Sequence, residues 1–188
     1  MIELEPALVE LVRSALPLPR GASIRVRHGD ARAGLARLPV GLRGTVDLLI
    51  VDVFAGARTP AHVTSVEFYR ECSAFLAPGG VLLANVADGG ALAFARGQAA
   101  TLSAVFADVA VLAESAVLRG RRYGNFVLVG SNRALPLDWM PRLLAGGPHP
   151  AAVVRDRELR DWIAGAPLVV DATAVPSPPP SRSVFQIR

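Results

Sequence analysis

Two long apolar stretches limit what this chain can fold into. The segments TVDLLIVDVF at 45–54 and GVLLANVAD at 80–88 are almost continuously apolar, interrupted only by Asp and Asn. Strands of this kind are typical of a parallel sheet whose two faces are both covered by helices. Apolar residues at helical spacing predict helices at 6–16, 65–77 and 90–106. The alternation predicts an α/β fold with a doubly wound, mostly parallel sheet.

Shorter segments complete the predicted order of elements. ASIRVRHGD at 22–30 alternates apolar and basic residues, as an edge strand does, and ARAGLARL at 31–38 is typical of a short helix. The segments 108–115 and 123–132 are predicted to form an antiparallel pair across 116–122. We expect one domain at 1–133 and an extension at 134–188, with a short helix at 155–165. The Pro-rich tail at 175–188 is predicted to have no regular structure and either to be mobile or to track the surface.

Composition excludes several classes of protein. No apolar run reaches the roughly 18 residues that a membrane span needs, and the acidic start is unlike a secretory signal. The one cysteine, Cys72, rules out a disulfide framework and is expected in the core because its neighbours are apolar at helical spacing. These features favour a cytoplasmic protein that does not bind a membrane.

The basic charge does not indicate a nucleic-acid partner. All 20 basic residues are Arg, and the net charge is only +4, so the high isoelectric point of about 10.5 reflects the high pKa of Arg. The arginines are spread along the chain, apart from a small cluster at 119–122. We therefore expect no nucleic acid as a partner.

Acidic and amide side chains stand where predicted strands end. In an open α/β sheet the ligand lies at the carboxyl ends of the strands. An acid after a strand is also a common helix N-cap, so each residue alone is a weak signal. Taken together, these strand-end residues fit a nucleoside-like ligand. Carboxylates can accept hydrogen bonds from ribose hydroxyls and from an adenine amino group, and a further carboxylate can face a cationic nucleophile. The residues are Glu3, Glu5, Asp30, Asp52, Asn85 and Asp88.

Other polar residues have two readings. His62, in the loop TPAHVTS at 59–65, is a candidate substrate contact or a surface loop residue. Tyr123 either reaches the rim of the site or is an aromatic residue of the hairpin, and Ser65 is the expected N-cap of the helix that follows it. No two histidines have the spacing of metal ligands, so we predict no metal.

Several segments resemble the spermidine synthase group of aminopropyltransferases in their order and spacing. They are IELEPALVELVR at 2–13, RVRHGDAR at 25–32, DLLIVDVFAG at 47–56 and TPAHVTSVEFYRECSAFLAPGGVLLANVAD at 59–88. The resemblance covers residues 1 to about 133 and implies the Rossmann-like fold of class I S-adenosylmethionine-dependent methyltransferases. It implies S-adenosylmethionine or its decarboxylated form as co-substrate.

The resemblance also implies roles for individual residues. Glu3 matches the acid that binds the ribose diol, and Asp30, with Ala31 beside it, matches the acid that binds the adenine amino group. Asp52 matches the catalytic acid that takes a proton from the attacking amine or orients it. That amine displaces methylthioadenosine from the sulfonium carbon. Asn85 stands where the family has Gln, and we expect it to contact the substrate.

The chain departs from the family in the segment that follows Asp52. Ala55 and Gly56 replace a second Asp, which holds the polyamine ammonium groups, and a Pro. Asp88 is the candidate to compensate for the lost acid. The loss argues against ordinary putrescine transfer, because a charge-assisted hydrogen bond is removed. The acceptor is then another amine or another nucleophile.

The start of the chain is unusual for the family. Residues 3–6 match a motif that ends the second strand, with a first strand and a glycine-rich loop before it. The resemblance therefore implies a sheet that lacks this first strand at the N-terminus. Two alternatives to aminopropyl transfer follow. One is methyl transfer from the same sulfonium pocket, and the other is a truncated, non-catalytic module that binds a nucleoside or joins a partner, a second copy of the chain included.

Overall fold

The structure, a computed structural model, describes residues 1–147 and 149–180. It divides into two compact units, Met1–Val40 and a second that begins at Gly41. The first unit contains β1 (Ile2–Glu3), α1 (Pro6–Ala15), β2 (Arg27–His28) and α2 (Ala31–Ala36). β1 and β2 pair in parallel and form a sheet of their own, separate from the sheet of the second unit.

Local sequence explains the elements of the first unit. Pro6 occupies the first turn of α1, where its missing N–H is not needed. Gly29 has a φ of +137°, a conformation that glycine adopts readily, and turns the chain from β2 into α2. A Cβ at Gly34 would lie 2.7 Å from a methyl carbon of Ile2, so this glycine allows α2 to pack closely on β1.

The second unit is built on a five-stranded sheet with strand order β3-β4-β6-β5-β7. β3 and β4 pair in parallel, and the other three pairs are antiparallel. The elements are β3 (Val46–Val51), α3 (Val66–Ser73), β4 (Leu76–Asp88), α4 (Ala93–Ser103), β5 (Asp108–Glu114), α5 (Ser115–Leu118), β6 (Gly124–Ser131), α6 (Met140–Ala145), β7 (Ala151–Arg155) and α7 (Asp156–Ile163).

The α/β fold class is confirmed, with a mixed sheet in place of a mostly parallel one. The predicted antiparallel pairing of β5 with β6 is present. β7 was not predicted, and it pairs with β5 at the edge of the sheet. The boundary between 1–133 and 134–188 stays a prediction.

Two predictions about β3 and β4 need correction. The helix expected to run up to Pro78 ends at Ser73, and the Pro-Gly-Gly segment lies inside β4. Between the pairs Val46–Leu76 and Leu48–Val81, β4 advances by five residues while β3 advances by two. Gly80 permits this irregularity because a Cβ there would lie 2.6 Å from a backbone oxygen of β3. β3 is also not buried on both faces, since Leu48 and Ile50 in it are 51% and 61% exposed.

The core of the second unit lies between the sheet and helices α3 and α4. Cys72 is buried there, as predicted. Gly130 in β6 passes directly beside Phe106, because a Cβ on it would come within 2.7 Å of the ring. The largest fully buried side chains are Tyr69, Phe126, Leu82, Leu92, Leu102 and Leu128.

The segment 167–178, which we call the C-terminal strap, has one turn of 3₁₀ helix at Asp171–Thr173 and otherwise no regular structure. The predicted tail overlaps this segment, but residues 181–188 of it lie outside the described residues. Ser177 in the strap is completely buried. Within the described part of the chain, none of the helices has both the length and the apolar character to cross a membrane.

Candidate active site at the strand ends

Glu3 and Asp30 follow the two parallel strands of the first unit. The Gly29 N–H donates to the Glu3 carbonyl oxygen at 2.9 Å, which continues the pairing of β1 and β2 to their carboxyl ends. The Glu3 carboxylate accepts from the Glu5 N–H at 2.9 Å. Asp30 caps α2, since its Oδ1 accepts from the Ala33 N–H at 2.9 Å. The structure thus places both acids at one edge of the small sheet.

Asp52 and Asn85 form a pair at the ends of neighbouring strands of the second unit. Asp52 follows β3 directly and is exposed, whereas Asn85 lies near the end of β4 and is half-buried. The Asn85 Nδ2 donates to Asp52 Oδ1 at 2.9 Å. This bond orients the carboxylate, and the Asn85 Oδ1 has no hydrogen-bond partner among the described residues. The pair therefore has acceptor capacity for a donor such as an amine.

Asp88, the last residue of β4, is buried and serves the backbone. Its Oδ1 accepts from the Gly89 N–H at 2.7 Å, and its Oδ2 accepts from the Ala95 N–H at 2.8 Å. These bonds hold the tight loop between β4 and α4, in which Leu92 has a positive φ of 58°. A contact of Asp88 with substrate stays a prediction.

The residues that follow Asp52 form a long loop, 53–65, which contains His62. His62 lies in a single turn of 3₁₀ helix at Ala61–Val63 and is exposed. The loop ends at Ser65, whose side chain accepts from the Phe68 N–H at 3.1 Å and confirms the predicted N-cap of α3. The role of His62 as a substrate contact stays a prediction.

A buried network, not predicted from the sequence, fixes the end of this loop. The Tyr69 hydroxyl donates to Gln98 Oε1 at 2.9 Å, and the Gln98 Nε2 donates to the Thr64 carbonyl oxygen at 3.0 Å. All three residues are buried. Burial, with a smaller effect from the Cys72 thiol, raises the pKa of Tyr69 above its ordinary value. Gln98 carries no local signal of this role, because it looks like any polar residue of an apolar helix.

Tyr123 contacts the loop from the start of β6. Its hydroxyl lies 3.1 Å from the Ala57 carbonyl oxygen and 3.2 Å from the Pro178 carbonyl oxygen. Burial, and then the negative charge of Asp88, raise the pKa of Tyr123. The hairpin position predicted for Tyr123 thus brings its hydroxyl to the loop that borders Asp52.

Metal binding has no support in the described residues. Within residues 1–147 and 149–180, no group of three or more His, Cys, Asp or Glu side chains could hold a metal ion. The acids described above are instead occupied by backbone N–H groups and by Asn85.

Known proteins with similar sequences or structures include polyamine-synthesising enzymes. A curated polyamine aminopropyltransferase of Vibrio vulnificus strain CMCP6 is 31% identical over 86 residues, which are 45% of this chain and 28% of that protein. A crystal structure of a probable spermidine synthase from Corynebacterium glutamicum ATCC 13032 is 35% identical, with a TM-score of 0.81 over 90% of this chain and 62% of that one. No family model matches the chain.

A methyltransferase-like protein shares the fold. Human methyltransferase-like protein 13 in complex with SAH is 19% identical, with a TM-score of 0.54 over 86% of this chain and 69% of that one. The similarities confirm the resemblance predicted from the sequence motifs and the class I methyltransferase fold. The chain spans less than two thirds of the length of the Vibrio and Corynebacterium proteins, at 28% and 62%.

Proposed function

We propose that this chain, which is similar to spermidine synthases and has the class I methyltransferase fold, transfers an aminopropyl group to an amine. The donor is decarboxylated S-adenosylmethionine, a sulfonium compound that is already activated for displacement. The nitrogen lone pair of the amine forms a bond to the sulfonium-bound carbon. The carbon–sulfur bond breaks, its electron pair stays on sulfur, and methylthioadenosine leaves.

The Asp52–Asn85 pair is the observation that carries this proposal. The exposed carboxylate stands directly after β3 and is oriented by the Asn85 amide at 2.9 Å. A carboxylate held in this way accepts a hydrogen bond from the attacking amine, aligns its lone pair and takes its proton. Proton transfer by a positioned side chain contributes about 10²–10⁴-fold to a rate, and alignment of the two reactants contributes further.

The nucleoside part of the donor is assigned to Glu3 and Asp30. Glu3 would accept hydrogen bonds from the two ribose hydroxyls, and Asp30, beside Ala31, would accept from the adenine amino group. The position of both acids at the carboxyl ends of the parallel strands β1 and β2 supports this assignment. Asp30 also caps α2, so its substitution affects the fold as well as the ligand.

The charges of the loop 53–65 indicate which kind of amine the chain accepts. It contains Arg58 and His62 but no Asp or Glu. A diamine carries a second ammonium group, and this loop offers it no carboxylate with which to form a charge-assisted hydrogen bond. An amine with a single cationic group therefore fits better than putrescine, with Asn85, Asp88 and His62 as candidate contacts.

Release of methylthioadenosine from decarboxylated S-adenosylmethionine, followed by mass spectrometry with a panel of amines, tests the proposal. We expect Asp52→Asn to reduce transfer by roughly 10²–10⁴-fold and to leave the affinity for methylthioadenosine unchanged. Asp47→Asn is the matched control, because Asp47 is an exposed acid near the start of β3, the strand that Asp52 follows, and its loss should not change transfer. Full activity in Asp52→Asn would refute the proposed role of this carboxylate.

Methyl transfer is the second candidate, and the fold shared with human methyltransferase-like protein 13 in complex with SAH favours it. The same assay separates the two functions. Aminopropyl transfer uses the decarboxylated donor and releases methylthioadenosine, whereas methyl transfer uses S-adenosylmethionine and releases S-adenosylhomocysteine. A chain that binds these nucleosides and transfers neither group would be the non-catalytic module.

A further inference from the structure

We propose that Ser177 is a positioning residue through which the C-terminal strap holds the loop 53–65 and so determines how the acceptor is bound beside Asp52. This inference rests on the proposed function, because it assigns an additional residue to the acceptor side of the same site. Ser177 lies 125 residues after Asp52 in the sequence. It belongs to a segment that resembles a plain proline-rich tail.

Ser177 binds the middle of the loop through three groups. The Thr59 N–H donates to Ser177 Oγ at 2.9 Å, and the Ser177 N–H donates to the Thr59 carbonyl oxygen at 3.0 Å. Arg58 Nε donates to the Ser177 carbonyl oxygen. Ser177 is fully buried and Thr59 is 2% exposed, so water does not replace these partners readily.

The strap also binds the end of the loop, where α3 begins. The Val66 N–H donates to the Val169 carbonyl oxygen at 2.8 Å. The Ser65 hydroxyl donates to the Asp171 carboxylate, and the Asp171 N–H donates to Glu67 Oε2 at 3.0 Å. The strap itself is anchored on α4, because the Val169 N–H donates to the Thr101 hydroxyl at 3.0 Å.

Tyr123 connects the strap with the first part of the loop. Its hydroxyl is within 3.1 Å of the Ala57 carbonyl oxygen and 3.2 Å of the Pro178 carbonyl oxygen. Contacts within the loop are short-range: Ala55 with Arg58, and two turns up to Thr64. Long-range contacts with the strap therefore supply much of what determines the conformation of residues 57–66.

The position of this loop connects it with the acceptor. It begins at the residue after Asp52, and ligands of open α/β sheets bind beyond the carboxyl ends of the strands. The strap belongs to neither sheet and holds the loop by individual hydrogen bonds, and such segments open at low free energy. Loss of one contact at Ser177 should therefore loosen the loop before it unfolds the sheet.

Ser177→Ala tests the inference, with Val175→Ala as the matched control. Val175 lies in the same strap and is 63% exposed. Ser177→Ala leaves the buried Thr59 N–H without an acceptor, so we expect hydrogen exchange at Thr59 to be about tenfold faster. Exchange at the buried strand residues Leu82 and Leu128 should not change.

Kinetics separate positioning from a structural role. We expect Ser177→Ala to raise the KM for the acceptor about fivefold or more, with the affinity for methylthioadenosine unchanged. Val175→Ala should match the wild-type chain in both respects. If Ser177→Ala does not fold, Tyr123→Phe serves in its place, because it removes only the hydroxyl that lies between the loop and the strap.

Either of two hydrogen-exchange results would overturn the inference. One is unchanged exchange at Thr59 in the folded variant, and the other is acceleration throughout β4 and β6, which would show general destabilisation. Faster exchange at Thr59 with an unchanged KM would also refute the role in acceptor binding. A wild-type chain that transfers neither group would refute the proposed function itself, while hydrogen exchange would still decide whether the strap orders the loop.

Discussion

Replacement of Gln98 by Met should destabilise the second unit strongly, although Met has similar length and packs well in a core. Gln98 joins the Tyr69 hydroxyl at 2.9 Å to the Thr64 carbonyl oxygen at 3.0 Å, and all three residues are buried. Gln98→Met leaves both groups without a partner. Each buried unpaired group costs about 1–3 kcal/mol, so we expect a loss of about 2–6 kcal/mol in the free energy of unfolding.

A double-mutant cycle tests the reasoning. Tyr69→Phe alone leaves only Gln98 Oε1 unpaired and should cost about 1–3 kcal/mol. In the double variant the Tyr69 hydroxyl is no longer present, so only the Thr64 carbonyl oxygen is unpaired. The single variants together leave three groups unpaired and the double variant leaves one, so the double variant should lose about 2–6 kcal/mol less than the sum of the two single variants.

Urea unfolding of the four chains, followed by circular dichroism, gives the required free energies. The comparison requires that the free energy of unfolding fall with urea concentration at the same slope in all four chains. A changed slope would indicate a changed unfolded or native state. Strict additivity of the two single changes would refute the network. So would a cost below about 1 kcal/mol for Gln98→Met, since it would show that neither partner is left unpaired.

Three further predictions concern stability, pH and specificity. Asp30→Ala should lower the free energy of unfolding of the first unit by about 1 kcal/mol through loss of the N-cap, and Asp30→Asn should retain most of it, as measured by urea unfolding. Burial raises the pKa of Tyr69, so the stability that the neutral hydroxyl contributes is complete below about pH 10 and is lost as the pH rises through the folded-state pKa. When unfolding is measured from about pH 8 to 11, the free energy of unfolding should therefore decline less in Tyr69→Phe than in the wild-type chain. Ala55→Asp should increase transfer to a diamine relative to a monoamine in the mass-spectrometric assay, and an unchanged ratio would contradict the view that the missing acid excludes diamines.

The sequence was sufficient for features that depend on neighbouring residues. Helix α1 begins at Pro6 and α7 lies within the predicted range 155–165, because apolar spacing and first-turn residues are local signals. Ser65 caps α3 as predicted, since the capping bond reaches only three residues ahead. The acids at strand ends were also visible, because a strand ends where its apolar run ends.

Tertiary structure decided which of those acids are available and what holds them. Asp88 resembles the other strand-end acids in sequence, yet both of its oxygens accept backbone N–H groups, one of them seven residues away. The helix expected up to Pro78 gives way to a strand, because β4 extends alongside β3 and pairing with a neighbouring strand outweighs local preference.

The partners of the loop after Asp52 were beyond the reach of any local pattern. Ser177 meets Thr59 across 118 positions, and Asp171 meets Ser65 across 106. A serine among prolines has no periodicity and no cap to reveal its role, so the sequence alone indicates an irregular tail. Only when the sheet is assembled do these two distant segments lie side by side, and the need to pair their buried backbone groups then selects the contact.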